Sequence, residues 1–178
     1  IKNQEKIKIK AFTKEMKTFI MTSRFNTKTR KQNNDYRELY WKNGCIYCPP
    51  TLINNNIPQG AKIIVLEMDN DINKIFALGL CMNKPFTNKF SVYDDENLNR
   101  YSYLGKYRIL REELSKEEED IMKAFDILCF KGNEHLKRQQ GITLFPLKKI
   151  WRIQKVINII EFMENMFKKR FDKKSIHA

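Results

Sequence analysis

Through the middle of the chain, apolar residues gather in short runs of strand length separated by turn-forming residues. Residues 17–24, KTFIMTSR, predict an opening strand that ends in the small hydroxyl residues Thr22 and Ser23. The following residues 27–40 are polar, with only Tyr36, Leu39 and Tyr40 as an apolar stripe, which predicts a surface helix. CIYCPP is then a short extended segment stopped by Pro49 and Pro50. Two continuous apolar runs, AKIIVLEM at 61–68 and KIFALGLCM at 74–82, are joined by Asp and Asn residues and predict a central antiparallel hairpin. Residues 90–93 predict one further short strand.

Residues 99–109, NRYSYLGKYRI, alternate aromatic and basic side chains with the two-residue period of a strand. Tyr101, Tyr103 and Tyr107 fall on one face, with Arg100, Lys106 and Arg108 on the other. The pattern has two readings. Either the tyrosines fill a core and the cations face water, or the strand offers stacking platforms beside cations for an unpaired base and its phosphate.

Beyond this strand the period changes to that of a helix. Ser115 is placed as an N-cap with Glu118 as its capping-box partner, and Ile121, Met122, Phe125 and Leu128 follow as the buried stripe. The carboxylates of Glu117, Glu118, Glu119 and Asp120 are explained by that helix start and need no catalytic role. Residues 130–146 predict a basic loop bounded by Gly132 and Gly141, then a short strand. Residues 147–171 predict one long amphipathic helix, with Ile153, Val156, Ile157, Ile160, Met163 and Phe167 at helical spacing. Strands in the middle and helices around them, without βαβ alternation, define an α+β class: a small curved sheet or β-barrel flanked by helices. Residues 1–16 predict a basic arm, 17–171 a single domain and 172–178 a basic tail; Ile1 in place of Met predicts a longer parent chain.

Charge sharpens this outline. The net charge is +13, and it is uneven: residues 1–31 carry ten cations and two acids, and residues 131–178 carry twelve and four. Residues 112–126 are the acidic exception, with two cations and seven acids. Two basic ends point to a polyanionic partner, nucleic acid before an anionic membrane surface. No apolar run approaches the ~20 residues that span a bilayer. The excess of Asn, Lys and Ile follows the coding bias of an AT-rich genome and carries no physics.

Chemistry is sparse by comparison. Cys45 and Cys48 form a CxxC pair, half of a zinc site, but Cys81 and Cys129 are singletons inside apolar runs. Reduced, buried thiols and an intracellular reducing compartment, whether cytoplasm, nucleus or virion, are expected. The two histidines are His135 and His177, and no catalytic motif occurs. No enzyme activity, metal or cofactor is expected. A metal-dependent nuclease would have to be built from Asp69, Asp71, Asp94 and Glu96, and the first two sit in a hairpin turn. In the basic loop, Lys131, His135, Lys137 and Arg138 are candidates to converge on phosphates.

Four segments resemble the YTH and EVE members of the PUA-like superfamily, small β-barrels that recognise modified bases. FIMTS resembles the family's opening strand, and IFALGLCMN its Gly-containing apolar strand. SYLGKYRI resembles the segment with aromatic, Gly, basic and aromatic residues in order, filled by Tyr103, Gly105, Lys106 and Tyr107. PLKKIWRIQKVINII resembles the closing Pro-headed helix. The resemblance implies a base pocket around Ser23, Tyr47 and Tyr103, with Tyr93 or Tyr101 as the third aromatic. Tyr stands where the family usually has Trp, and Trp41 and Trp151 lie outside the motif. Arg24, Arg100, Lys106, Arg108, Lys131, His135, Lys137 and Arg138 are then the expected phosphate contacts, in RNA or DNA. The stretch from VLEMDNDINKI to HLKRQQGITLFP is also similar to uncharacterised proteins of large DNA viruses, which gives a basic virion or assembly protein as the alternative.

Overall fold

A computed structural model describes residues 1–171; the expected basic tail at 172–178, with His177, lies outside the described residues. Strands β1 (Thr18–Phe25), β3 (Lys62–Asp69), β4 (Lys74–Met82), β6 (Tyr107–Leu110) and β7 (Thr143–Leu144) form a mixed sheet in the order β6-β4-β3-β1-β7. β1 and β3 are parallel, with Phe19 opposite Ile63 and Met21 opposite Val65, and α2 (Thr27–Tyr40) lies in the connection that such a pair requires. The expected hairpin is β3–β4, antiparallel from Lys62↔Met82, with Asn73 at φ 53° in its turn. Asn tolerates that left-handed conformation better than most residues.

A second, two-stranded ladder pairs β2 (Cys45–Tyr47) with β5 (Tyr103–Gly105) and lies across one face of the main sheet. The sheet is open at β6 and β7, so the expected barrel is not formed. The alternating stretch is where the expectation fails. Its tyrosine end enters the small ladder, its arginine end joins β4, and Tyr101 lies outside both. Gly105 ends the ladder strand, and Lys106 alone separates it from β6. A Cβ at Gly105 would run into the Leu80 carbonyl, so only glycine lets the ladder come this close to β4.

Each face of the sheet buries its own core. Ile20, Ile64, Leu66, Leu78 and Ile109 meet Phe125 of α3 (Lys116–Phe130), Ile150 of α4 (Leu147–Gln154) and Met163 and Phe167 of α5 (Ile159–Arg170). Phe19, Met21, Ile63, Val65 and Cys81 meet Tyr47 and Tyr103 of the ladder. Burial on both faces explains why β3 and β4 read as unbroken apolar runs.

The Ser115–Glu118 capping box starts α3 as expected. Other helices differ. The expected arm is α1 (Lys2–Glu15), a helix without a buried residue that packs on α4; its apolar positions are too few to reveal it. The expected single C-terminal helix is α4 and α5, interrupted where the Asn158 side chain accepts a hydrogen bond from the Glu161 amide and caps α5. Residues 90–93 form no strand, because the Asn99 carboxamide accepts from the Val92 and Tyr93 amides and folds the segment into a loop.

Candidate nucleic-acid interface

The expected pocket aromatics divide among three environments. Tyr103 is 1% exposed, and its hydroxyl accepts a hydrogen bond from the Ile53 amide at 3.1 Å. Tyr47 is equally enclosed, and its hydroxyl donates to Glu67 Oε1 at 2.7 Å. Neither ring stands open for stacking, and Tyr101 lies apart from both at the surface. Sterics enforce the closure from below, since a Cβ at Gly79 would run into the Tyr47 hydroxyl.

Ser23, Arg24, Tyr47 and Tyr93 do share one hollow, with Thr29, Cys48, Pro49 and Leu98. Its volume is about 50 Å³. Small-molecule sites begin at roughly 300 Å³. Tyr93 is fixed there by a hydrogen bond from the Asn33 carboxamide at 3.0 Å, and burial raises its pKa.

The expected phosphate contacts divide too. Arg108 forms an ion pair with Glu67 at 2.8 Å, and its side chain is 7% exposed. Burial opposes both charges, yet each holds the other ionised: the Glu67 pKa falls below and the Arg108 pKa rises above its ordinary value. Arg24 is likewise occupied. It donates to the carbonyls of Leu136 and Gly141 and to the Thr143 hydroxyl, at 3.1, 2.7 and 3.0 Å. Arg24 therefore latches β1 to the basic loop. All of these acceptors are neutral, and burial lowers the Arg24 pKa to about 10.

The loop itself carries Lys131 and Arg138 in solvent, whereas Lys137 and His135 are half-buried. His135 turns inward, its Nδ1 accepting from the Lys137 amide at 3.3 Å. Arg100 and Lys106 are exposed on separate segments, on either side of the ladder strand β5. No common groove gathers the eight cations.

A basic ridge absent from the sequence expectation lies elsewhere. α1 presents Lys2, Lys6, Lys8, Lys10 and Lys14, and α4 adds Lys148, Lys149 and Arg152, against only Glu5 and Glu15 on the two helices. Glu5 joins them, 3.6 Å from Lys148 and 3.4 Å from Arg152. Lys149 reaches Glu134 at 3.5 Å, so the ridge continues into the basic loop. Its signal in sequence was the charge of α1 and α4, but their pairing is tertiary.

Three of the acidic candidates are already engaged at the start of α2. Asp69 pairs with Arg30 at 3.0 Å, Asp71 accepts from the Thr27 amide and hydroxyl at 2.7 Å, and Asp94 pairs with Lys28 at 3.0 Å. Among the described residues no group of three His, Cys, Asp or Glu side chains is placed to hold a metal ion. The cysteines are free and buried, and desolvation pushes the Cys48 thiol up to about 11 and Cys45 up to about 12. Among the described residues no helix is long and apolar enough to cross a membrane.

No protein-family model matches the chain, and neither a curated protein nor a solved structure does.

Proposed function

We propose that the protein binds nucleic acid through the phosphate backbone, along the α1–α4 ridge and onto the loop at 131–138. The observation that carries this is the ridge: eight cations on two adjoining helices against two carboxylates. A polyanion gains affinity there by releasing counterions, and flexible lysines suit a contact that follows charge rather than sequence. Base recognition is not part of the proposal. Tyr47 and Tyr103 are enclosed, and the hollow at Ser23 is about 50 Å³.

The test is the salt dependence of binding to a short single strand, measured by fluorescence anisotropy. Each phosphate neutralised contributes a slope of about −0.7 in log K against log salt. Reversing Lys6 and Lys10 to Glu is expected to flatten the slope by more than one such contact. An unchanged slope removes the ridge from the interface, and preferential binding to anionic vesicles over the strand replaces nucleic acid with a membrane surface.

A further inference from the structure

Two abutting depressions of about 450 and 510 Å³ lie between α2 and β6 and share Asn34, Arg37, Arg108 and Leu110. Each is within the size range of small-ligand sites, roughly 300 to 1,000 Å³. Arg37 is 6% exposed, and what is held back from solvent includes most of a charged side chain. Its Nε donates to Asn33 Oδ1 at 2.9 Å and its Nη2 to Asn34 Oδ1 at 3.3 Å. Among the described residues no carboxylate pairs with it. Of the two buried carboxylates nearby, Glu67 already serves Arg108 and Asp69 serves Arg30.

Two guanidinium groups therefore share one carboxylate, leaving a positive charge in excess beneath the cleft. A buried charge without its counter-charge is unfavourable unless something supplies one. Burial lowers the Arg37 pKa and Arg108 lowers it further, the direction expected for an undercompensated cation. Three donors have no hydrogen-bond acceptor among the described residues: Arg37 Nη1, Arg108 Nη1 and Asn34 Nδ2. None of them is sealed from solvent. Other charges around the cleft are mostly spent. Arg30 pairs with Asp69 and lies 4.2 Å over the Phe76 ring, and Arg170 pairs with Glu118. Glu113 accepts from the Leu110 amide, while Lys31, Glu38 and Glu112 stand at the rim, where water screens them.

We propose that this cleft binds a phosphate monoester, with Arg37 as the principal contact and Arg108 and Asn34 beside it. Donors from a helix and from a strand suit a tetrahedral oxyanion, which offers oxygens in several directions, better than a planar carboxylate. The monoester belongs to a free nucleotide-sized molecule or to the phosphorylated end of a strand; the chemistry at Arg37 is the same. This site is separate from the α1–α4 ridge, and it stands if the ridge binds nothing.

The full chain is titrated with inorganic phosphate, with a nucleoside 5′-monophosphate, and with a short strand that carries or lacks a 5′-phosphate. Phosphate is expected to raise the melting temperature where chloride at equal ionic strength does not. Arg37→Gln is expected to weaken phosphate binding at least tenfold without lowering the melting temperature of the free protein, since it removes an undercompensated charge. Tighter binding of the monophosphate than of phosphate assigns a small ligand, and a preference for the phosphorylated strand assigns a chain end. Equal effects of phosphate and chloride overturn the proposal, as does retention of the phosphate effect in Arg37→Gln. Should that variant fail to fold, nitrogen-15 spectra of the wild-type arginine side chains decide: phosphate must shift the Arg37 and Arg108 signals, and unmoved signals overturn the site.

Discussion

Arg108 and Glu67 meet at 2.8 Å inside the protein, with side chains 7% and 2% exposed. The pair joins β6 to β3 across β4, and the Tyr47 hydroxyl donates to the same carboxylate from the small ladder. One acidic side chain thus ties together both sheets. In β3 Glu67 stands between the apolar residues Leu66 and Met68.

Breaking this pair from one side is expected to be costly, because the remaining charge stays buried. Glu67→Gln should lower stability by about 3 to 5 kcal/mol, read from urea unfolding. Replacing both partners together, as Glu67→Leu with Arg108→Met, should cost less than Glu67→Gln alone. A loss below about 1 kcal/mol for the single variant would mean that solvent screens the pair as it screens surface bridges.

Tyr103 is expected to behave as a core residue. Tyr103→Phe leaves the buried Ile53 amide without its acceptor, at a cost of about 1 to 3 kcal/mol. Tyr103→Ala should cost about 3 to 5 kcal/mol through the cavity it opens. Urea unfolding checks both. The folded Tyr103→Phe variant should bind a single strand with the same salt slope as the wild type, and a changed slope would return this residue to the interface.

Acid should release a third contact. Glu118 accepts hydrogen bonds from Arg170 at 2.7 and 2.9 Å and from the Ser115 amide at 3.0 Å. Burial opposes its charge, but Arg170 and Ser115 together hold its carboxyl at about 2, below the ordinary 4.5. A carboxyl depressed on folding stabilises the folded state above its unfolded value and loses that contribution as pH falls toward the folded one. The stability gap between the wild type and Glu118→Gln should therefore shrink from about pH 5 down to about pH 2, with Gln preserving part of the capping box. A gap independent of pH would show that the Glu118 charge contributes nothing.

Local rules made much of this fold legible. The β3–β4 hairpin followed from two apolar runs joined by Asp and Asn, and the start of α3 from Ser115 and Glu118, because each depends on neighbours a few residues apart. The base pocket was not legible in the same way. Alternation in NRYSYLGKYRI fixes which side chains share a face of an extended segment, but it does not say what each face meets. The segment divides at Gly105 and Lys106, so Tyr103 enters one core while Arg108 crosses to Glu67, 41 residues away in sequence. Arg24 shows the same limit: as a cation at the end of the opening strand it suggested a phosphate, and two of its carbonyl acceptors, those of Leu136 and Gly141, lie more than a hundred residues downstream.

By itself, then, the sequence determined the α+β class, the central hairpin, the Ser115 cap of α3 and the basic character of both ends, since these depend on composition and short-range periodicity. Only the tertiary structure decided that the sheet stays open, that Tyr47 and Tyr103 are enclosed, that α1 meets α4 in a basic ridge, and that Arg37 and Arg108 share a single carboxylate. Those outcomes depend on which distant residues compete for the same partner, and that competition is settled only when the chain has folded.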